Sequence, residues 1–198
     1  MEKGSEKSEK FLWVGNDPSI DFINTAIVAD GSPVDLLQSP EDYLEWLEGA
    51  GIALRPIGAG RRAAKNGFQQ ATDFRGILRA AFERLTSGAA LPQQILNATN
   101  AFISHQASTA ELEVRGTKFE LRPYWRATEP ADYVSPIAWA FAEFLANADL
   151  KRLRKCKNPD CVLFFYDTSK SGTRTWCSLY ICGNKMRMAA SRERQRTK

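Results

Sequence analysis

RKCKNPDCVLFFYDTSKSGTRTWCSLYICGNKMR, residues 154–187, holds all 4 cysteines of this 198-residue chain. They stand as Cys156-x4-Cys161 and Cys177-x4-Cys182, with fifteen residues between the pairs. Two local pairs joined by a loop supply the four thiolates that a tetrahedral zinc ion takes. Each pair needs a sharp turn, and Asn158-Pro159-Asp160 provides one in the first. In the second, a spacing of five on a regular α-helix would set the sulfurs about 140° apart. The chain must therefore bend before the helix proper, and Gly183 permits that. Val162 to Tyr166 reads as a strand, Ser169 to Thr173 as a turn around Gly172, and Lys185 to Arg196, free of Gly and Pro, as a helix. These elements compose a treble-clef or zinc-ribbon-like module, too small to fold on its own apolar core. Metal binding makes up the deficit, on the order of 10–16 kcal/mol in isolated finger peptides. A redox pair, the competing reading, typically has two residues between its sulfurs, and buried structural cysteines have no reason to pair so symmetrically. Four thiolates leave no open position for water or substrate, so the zinc is expected to be structural, not catalytic.

Charge divides the chain at the same place. Residues 151–198 carry 13 Lys or Arg against three acids, a net of +10, whereas residues 1–150 carry a net of −6. A mildly acidic body with a strongly basic end points to a polyanionic partner for that end. On the last helix, Arg187, Ser191 and Arg194 form a stripe, Arg192 and Arg196 flank it, and Lys185 sits in the first turn. Lys151, Arg152, Arg154 and Lys155 are candidates for a second bank of the same surface, and Arg174 is a further nucleic-acid-binding candidate. Such cations neutralise phosphates and release counterions.

Upstream, the residues read as an α+β body, mostly helical with a small β-hairpin or sheet. Residues 1–10 are expected to be a flexible leader, 11–149 the body and 150–198 the metal module. Ser39-Pro40-Glu41-Asp42 opens a helix with a cap, a first-position proline and an acid suited to a capping box. Apolar residues recur at the helical period from Arg62 to Leu85, with Gly67 as a candidate break, and again over Gln93–His105 and Tyr133–Ala148. Between them Leu112 and Val114, then Phe119 and Leu121, alternate with polar residues around Arg115-Gly116. That pattern predicts a hairpin with its apolar face turned inward.

At Cys182-Gly183-Asn184-Lys185 the metal segment resembles the CGNR-type zinc finger, named for a Cys-Gly-Asn-Arg signature. IDFINTAIVADGSPVDLLQSPEDYLEWLEGAGI, residues 20–52, resembles the ABATE domain that usually precedes that finger. The resemblance implies a bacterial family described as stress-induced transcription regulators, or as RNA-binding zinc-ribbon-like proteins, with Cys156, Cys161, Cys177 and Cys182 as ligands. Lys185 departs from the signature arginine. It keeps the charge but loses the planar fork that makes bidentate contacts.

The expected function is a zinc-containing nucleic-acid-binding protein, with DNA favoured over RNA, and a two-fold dimer would suit a palindromic site. The alternative is an N-terminal small-molecule-binding or protein-interaction module with an RNA-binding or accessory zinc finger, with Asp21, Asn24 and Thr25 as candidate ligand-binding groups, weighed against their commoner use in capping backbone donors. No glycine-rich phosphate loop or Ser-His-Asp ordering is present and His105 is the lone histidine, so an enzyme is not expected. Without a continuous apolar run, neither a signal peptide nor a membrane span is drawn, and a cytoplasmic location follows.

Overall fold

The computed structural model describes residues 9–105 and 108–196; the expected leader lies mostly outside them. The first helix, α1 (Pro18–Ile23), is capped by Asp17, whose carboxylate accepts from the Ser19 N–H at 2.8 Å. A short hairpin follows, β1 (Ala26–Ala29) with β2 (Ser32–Asp35), turned by Asp30 and Gly31, both at positive φ. Helix α2 (Pro40–Gly49) begins as its sequence predicts. Ser39 accepts from the Asp42 N–H at 3.1 Å, and Asp42 reaches back to the Gln38 N–H at 2.7 Å.

Strand β3 (Leu54–Pro56) leads to α3 (Arg61–Thr86), which runs unbroken for 26 residues, about 39 Å at 1.5 Å per residue. Gly67 does not interrupt it. A Cβ there would lie 2.6 Å from the Tyr133 ring, so the glycine is a notch that lets a buried tyrosine approach the helix backbone. After α4 (Gln93–Ile103), strands β4 (Ser108–Arg115) and β5 (Lys118–Ala127) form the predicted hairpin, and β3 adds to β5 in parallel, giving the order β3-β5-β4. Helix α5 (Ser135–Asn147) meets α3 through aromatic rings, Phe82 lying 5.5 and 5.7 Å from Phe141 and Phe144.

The hairpin corrects one expectation. Its apolar face, Leu112, Val114, Phe119 and Leu121, is turned to solvent, not to the core. The base of β5 reaches the body, where Ala127 is buried and Trp125 pairs with Leu54. The opposite face carries Glu111, Glu113, Glu120 and Arg122, and Arg55 of β3 pairs with Glu111 and Glu113. The alternation predicted from sequence holds in the hairpin, and which face finds a partner depends on the tertiary fold.

The C-terminal segment is joined to this body by a strand that serves both. β6 (Leu153–Lys155) pairs antiparallel with β7 (Phe164–Tyr166). Because successive strand side chains point oppositely, Phe164 enters the helical core, 6.3 Å from Phe82, while Phe165 joins the cluster of cysteines. Asn24 at the end of α1 grips the same strand: its Nδ2 donates to the Phe164 carbonyl at 2.8 Å and its Oδ1 accepts from the Phe164 N–H at 3.0 Å. Arg79 of α3 donates to the Val162 carbonyl at 3.1 Å and the Ala26 carbonyl at 2.9 Å, and also to the Ile23 carbonyl. The chain ends in α6 (Asn184–Arg196).

Candidate metal centre and nucleic-acid interface

Each cysteine is fixed by a local turn. In the first knuckle the Cys156 N–H donates to Leu163 O at 2.9 Å, and the Cys161 N–H to Asn158 O at 2.9 Å. In the second, the bend required by the five-residue spacing falls at Ser178, whose backbone is extended (φ −155°, ψ 145°). Cys177 thus lies outside the helix and Cys182 inside a single wide π-helical turn, Leu179–Gly183, that precedes α6. Ser178 caps this turn, accepting from the Tyr180 N–H at 3.1 Å. Gly183 is not the bend. It is small because a Cβ would meet Leu179 at 3.1 Å and Trp176 at 3.3 Å.

The result is a closed thiol cage. The four sulfurs lie within 4.8 Å of one another, with Cys161 and Cys177 3.8 Å apart and no disulfide among them. A tetrahedron with metal–sulfur bonds of about 2.3 Å has edges of about 3.8 Å, so the cage fits zinc with a small contraction. Asn158 Nδ2 donates to the Cys182 sulfur at 3.3 Å, an outer hydrogen bond of the kind that orients metal ligands. Three of the sulfurs belong to buried residues, and Leu163, Phe165, Leu12 and Val14 pack around them. Crowded thiols resist ionising together. Hydrogen bonds from Cys161 and Cys177 push the Cys156 thiol down to about 2, while the bond with Cys156 pushes Cys161 up to about 12 and Cys177 up as well. A dication held by the four sulfurs would remove this conflict by stabilising all the thiolates.

Arg174 locks the second knuckle. Its guanidinium donates to Trp176 O at 2.9 Å, to Val14 O at 3.0 Å and to Cys177 O, and stands 4.2 Å over the Phe165 ring. Burial, opposed by the charges of Cys177 and Asp167, lowers its pKa. Arg174 is thus held by three carbonyls and a ring while it still borders the open groove beside this knuckle. Arg154 is half-buried, donating to Leu153 O at 3.3 Å and to Lys151 O, and Lys155 lies 3.8 Å from Glu83 on α3.

The candidate ligand groups of the body are also used internally. Asn24 holds both backbone groups of Phe164, and the Thr25 hydroxyl donates to Phe22 O at 2.6 Å and accepts from Arg75 at 2.7 Å. Both side chains are buried and engaged within the fold. Asp21 accepts from the Gly15 N–H at 2.7 Å and borders a recess of about 200 Å³. His105 pairs with Glu129 at 2.8 Å.

Sequence reasoning missed an open groove of about 640 Å³ beside the second knuckle, bordered by Trp13, Trp176, Tyr180 and Arg187. Tyr180 is 89% exposed and Trp13 is braced by stacking on Trp46 at 5.9 Å. The one sequence signal was the pair of aromatics beside Cys177, but Trp13 arrives from the far end of the chain.

From the groove α6 leads off. Among its described side chains none is buried, and only Met186 is half-buried. Lys185 makes a 3.6 Å ion pair with Asp160 of the first knuckle, both side chains well exposed.

Residues 16–148, about two-thirds of the chain, match the ABATE family model, described as "Putative stress-induced transcription regulator". The chain belongs to the ABATE family. Residues 152–195 match the CGNR zinc finger, and the cage described above is the structural zinc site of that finger. Neither ABATE nor CGNR is an enzyme family. Among curated proteins nothing matches the chain. Among the described residues no helix is long and apolar enough to cross a membrane.

Proposed function

We propose that this ABATE–CGNR protein is a nucleic-acid-binding regulator, acting on bacterial stress-response transcription in the cytoplasm, in which structural zinc aims α6 at the phosphate backbone of DNA. The carrying observation is the helix itself. It spans 13 residues, about 20 Å, with five cations, Lys185, Arg187, Arg192, Arg194 and Arg196, and no buried side among its described residues. A helix polar all round gains nothing from the body it is attached to. A polyanion supplies the missing partner, and the major groove of DNA is wide enough to admit a helix. Arg154 and Lys155 have secondary roles in this reading, because each is already engaged near β6.

The test is selection from random duplex DNA by the zinc-loaded protein at near-physiological salt, with an RNA pool alongside. Enrichment of a DNA site is the expected outcome. If all five cations meet phosphates, log affinity falls with log salt at a slope of about −4.5, roughly 500-fold between 50 and 200 mM. Removing residues 184–198 should abolish binding and leave the zinc site intact. Unchanged affinity and slope in the truncated protein would refute the role of α6.

A second reading rests on the groove. Aromatic walls and the Arg187 guanidinium suit a flat anionic effector, or an unstacked base of single-stranded RNA. Tyr180→Ala would weaken either without altering the salt slope of duplex binding.

A further inference from the structure

The hairpin β4–β5 carries the largest feature that neither the zinc site nor α6 explains. Leu112, Val114, Phe119 and Leu121 are 65%, 67%, 74% and 69% exposed. The register pairs Leu112 with Leu121 and Val114 with Phe119, so the four lie on one face as two adjacent cross-strand pairs. At these exposures the four residues present roughly 500 Å² of contiguous apolar surface, at the upper end of what monomeric proteins leave bare.

The hairpin is built for this, not frayed. Gly116, at φ 59°, occupies the first turn position between the closing pair Arg115 and Lys118, as a two-residue hairpin turn of type II′ requires. Its other face is braced by charge. Arg55 pairs with Glu111 and Glu113 and stands 4.2 Å over the Tyr124 ring, and Arg122 lies 3.5 Å from Glu120. One face is thus stabilised within the protomer and the other is left for something else.

We infer that this face is a homodimer interface, in which the hairpins of two copies pack apolar face to apolar face about a two-fold axis. Three observations select a second copy. The four residues carry no charge, so the face offers nothing to steer a charged peptide or nucleic acid. Residues 1–150 have a net charge of −6, which opposes docking on an anionic membrane. The area also closes: two such faces bury about 1,000 Å² from these side chains alone, which reaches the threshold for a specific interface before any rim residue is counted. A two-fold contact is isologous, so a patch that matches itself needs no second surface. Stacked sheets about 10 Å apart interdigitate side chains of this size. The inference goes beyond the nucleic-acid reading and stands without it, since association is read with no nucleic acid present.

The experiment is sedimentation equilibrium of the zinc-loaded full chain from 1 to 100 µM, beside Val114→Lys/Leu121→Glu and the milder Leu112→Ser. The wild type should approach twice the 22.2 kDa chain mass. The double variant should remain at the chain mass throughout, and Leu112→Ser should weaken association at least tenfold. Because these side chains are exposed in the protomer, circular dichroism and melting of the double variant at low concentration should match those of the wild-type protomer. A wild type that stays monomeric at 100 µM, a mass above a dimer, or a double variant that still dimerises would each overturn the inference.

Discussion

Asn24→Ala should unfold the metal module and the helical body together. Asn24 satisfies both backbone groups of Phe164, accepting at 3.0 Å and donating at 2.8 Å, at a site where Asn24 and Phe164 are both fully buried. Alanine leaves a buried N–H and a buried C=O without partners, at about 1–3 kcal/mol each. Part of this is recovered if water enters the vacated space, so the net loss is about 2–4 kcal/mol. For a domain of this size that lowers Tm by roughly 4–16 °C. Asn24→Asp is the sharper control. It keeps an acceptor for the Phe164 N–H but sets a carboxylate oxygen against the Phe164 carbonyl, so it should be at least as damaging despite its near-identical shape. The assay is urea unfolding followed by tryptophan fluorescence, with released zinc read by a chromophoric chelator in the same cuvette. Both signals should shift to lower urea by the same amount, because Phe164 is core for the body while Phe165 packs on the cysteines. A loss under 1 kcal/mol, or zinc release that stays at its original midpoint while fluorescence moves, would refute this coupling.

Gly67→Ala provides a test of sign: helix propensity alone favours alanine by about 1 kcal/mol, but contact with the buried Tyr133 ring at 2.6 Å should make the variant about 1–3 kcal/mol less stable by chemical denaturation. Tyr43 is held above its usual range by burial, its hydroxyl donating to Tyr133 O at 2.6 Å. With the folded pKa raised, its contribution is complete below the unfolded value of about 10 and is lost as pH rises beyond it. Tyr43→Phe should therefore cost a constant 1–2 kcal/mol up to that pH, a typical buried hydrogen bond. Above it, the variant should lose stability less steeply than wild type by up to about 1.4 kcal/mol per pH unit. Cys161→Ser should reduce zinc stoichiometry and cause loss of the near-ultraviolet signal of Trp176; full zinc occupancy at wild-type affinity would contradict the four-thiolate cage.

Much of this molecule was legible in its chain because the relevant physics is local. The cysteine spacing announced a tetrahedral thiolate site, since few other arrangements require two pairs with turns inside them. The requirement that the second pair bend before its helix followed from helix geometry, and Ser178 meets it. Ser39-Pro40 marked a helix start because capping involves residues three apart. The charge step at residue 151 separated the basic end from the body without reference to any fold.

Tertiary structure decided what those elements do to one another. Gly67 reads as a helix breaker until Tyr133, 66 positions away, is seen against it. Asn24 and Thr25 look like ligand groups until Phe164 and Arg75 consume them. Arg174 counts as a free cation until three carbonyls and the Phe165 ring enclose it. Period-2 alternation in 108–127 determined that one hairpin face is apolar, but burial is a property of neighbours, and the body that meets the base of that hairpin leaves this face exposed. Local sequence specifies conformation because backbone sterics and capping act over a few residues; it cannot specify which surface remains without a partner, because that depends on where the rest of the chain has gone.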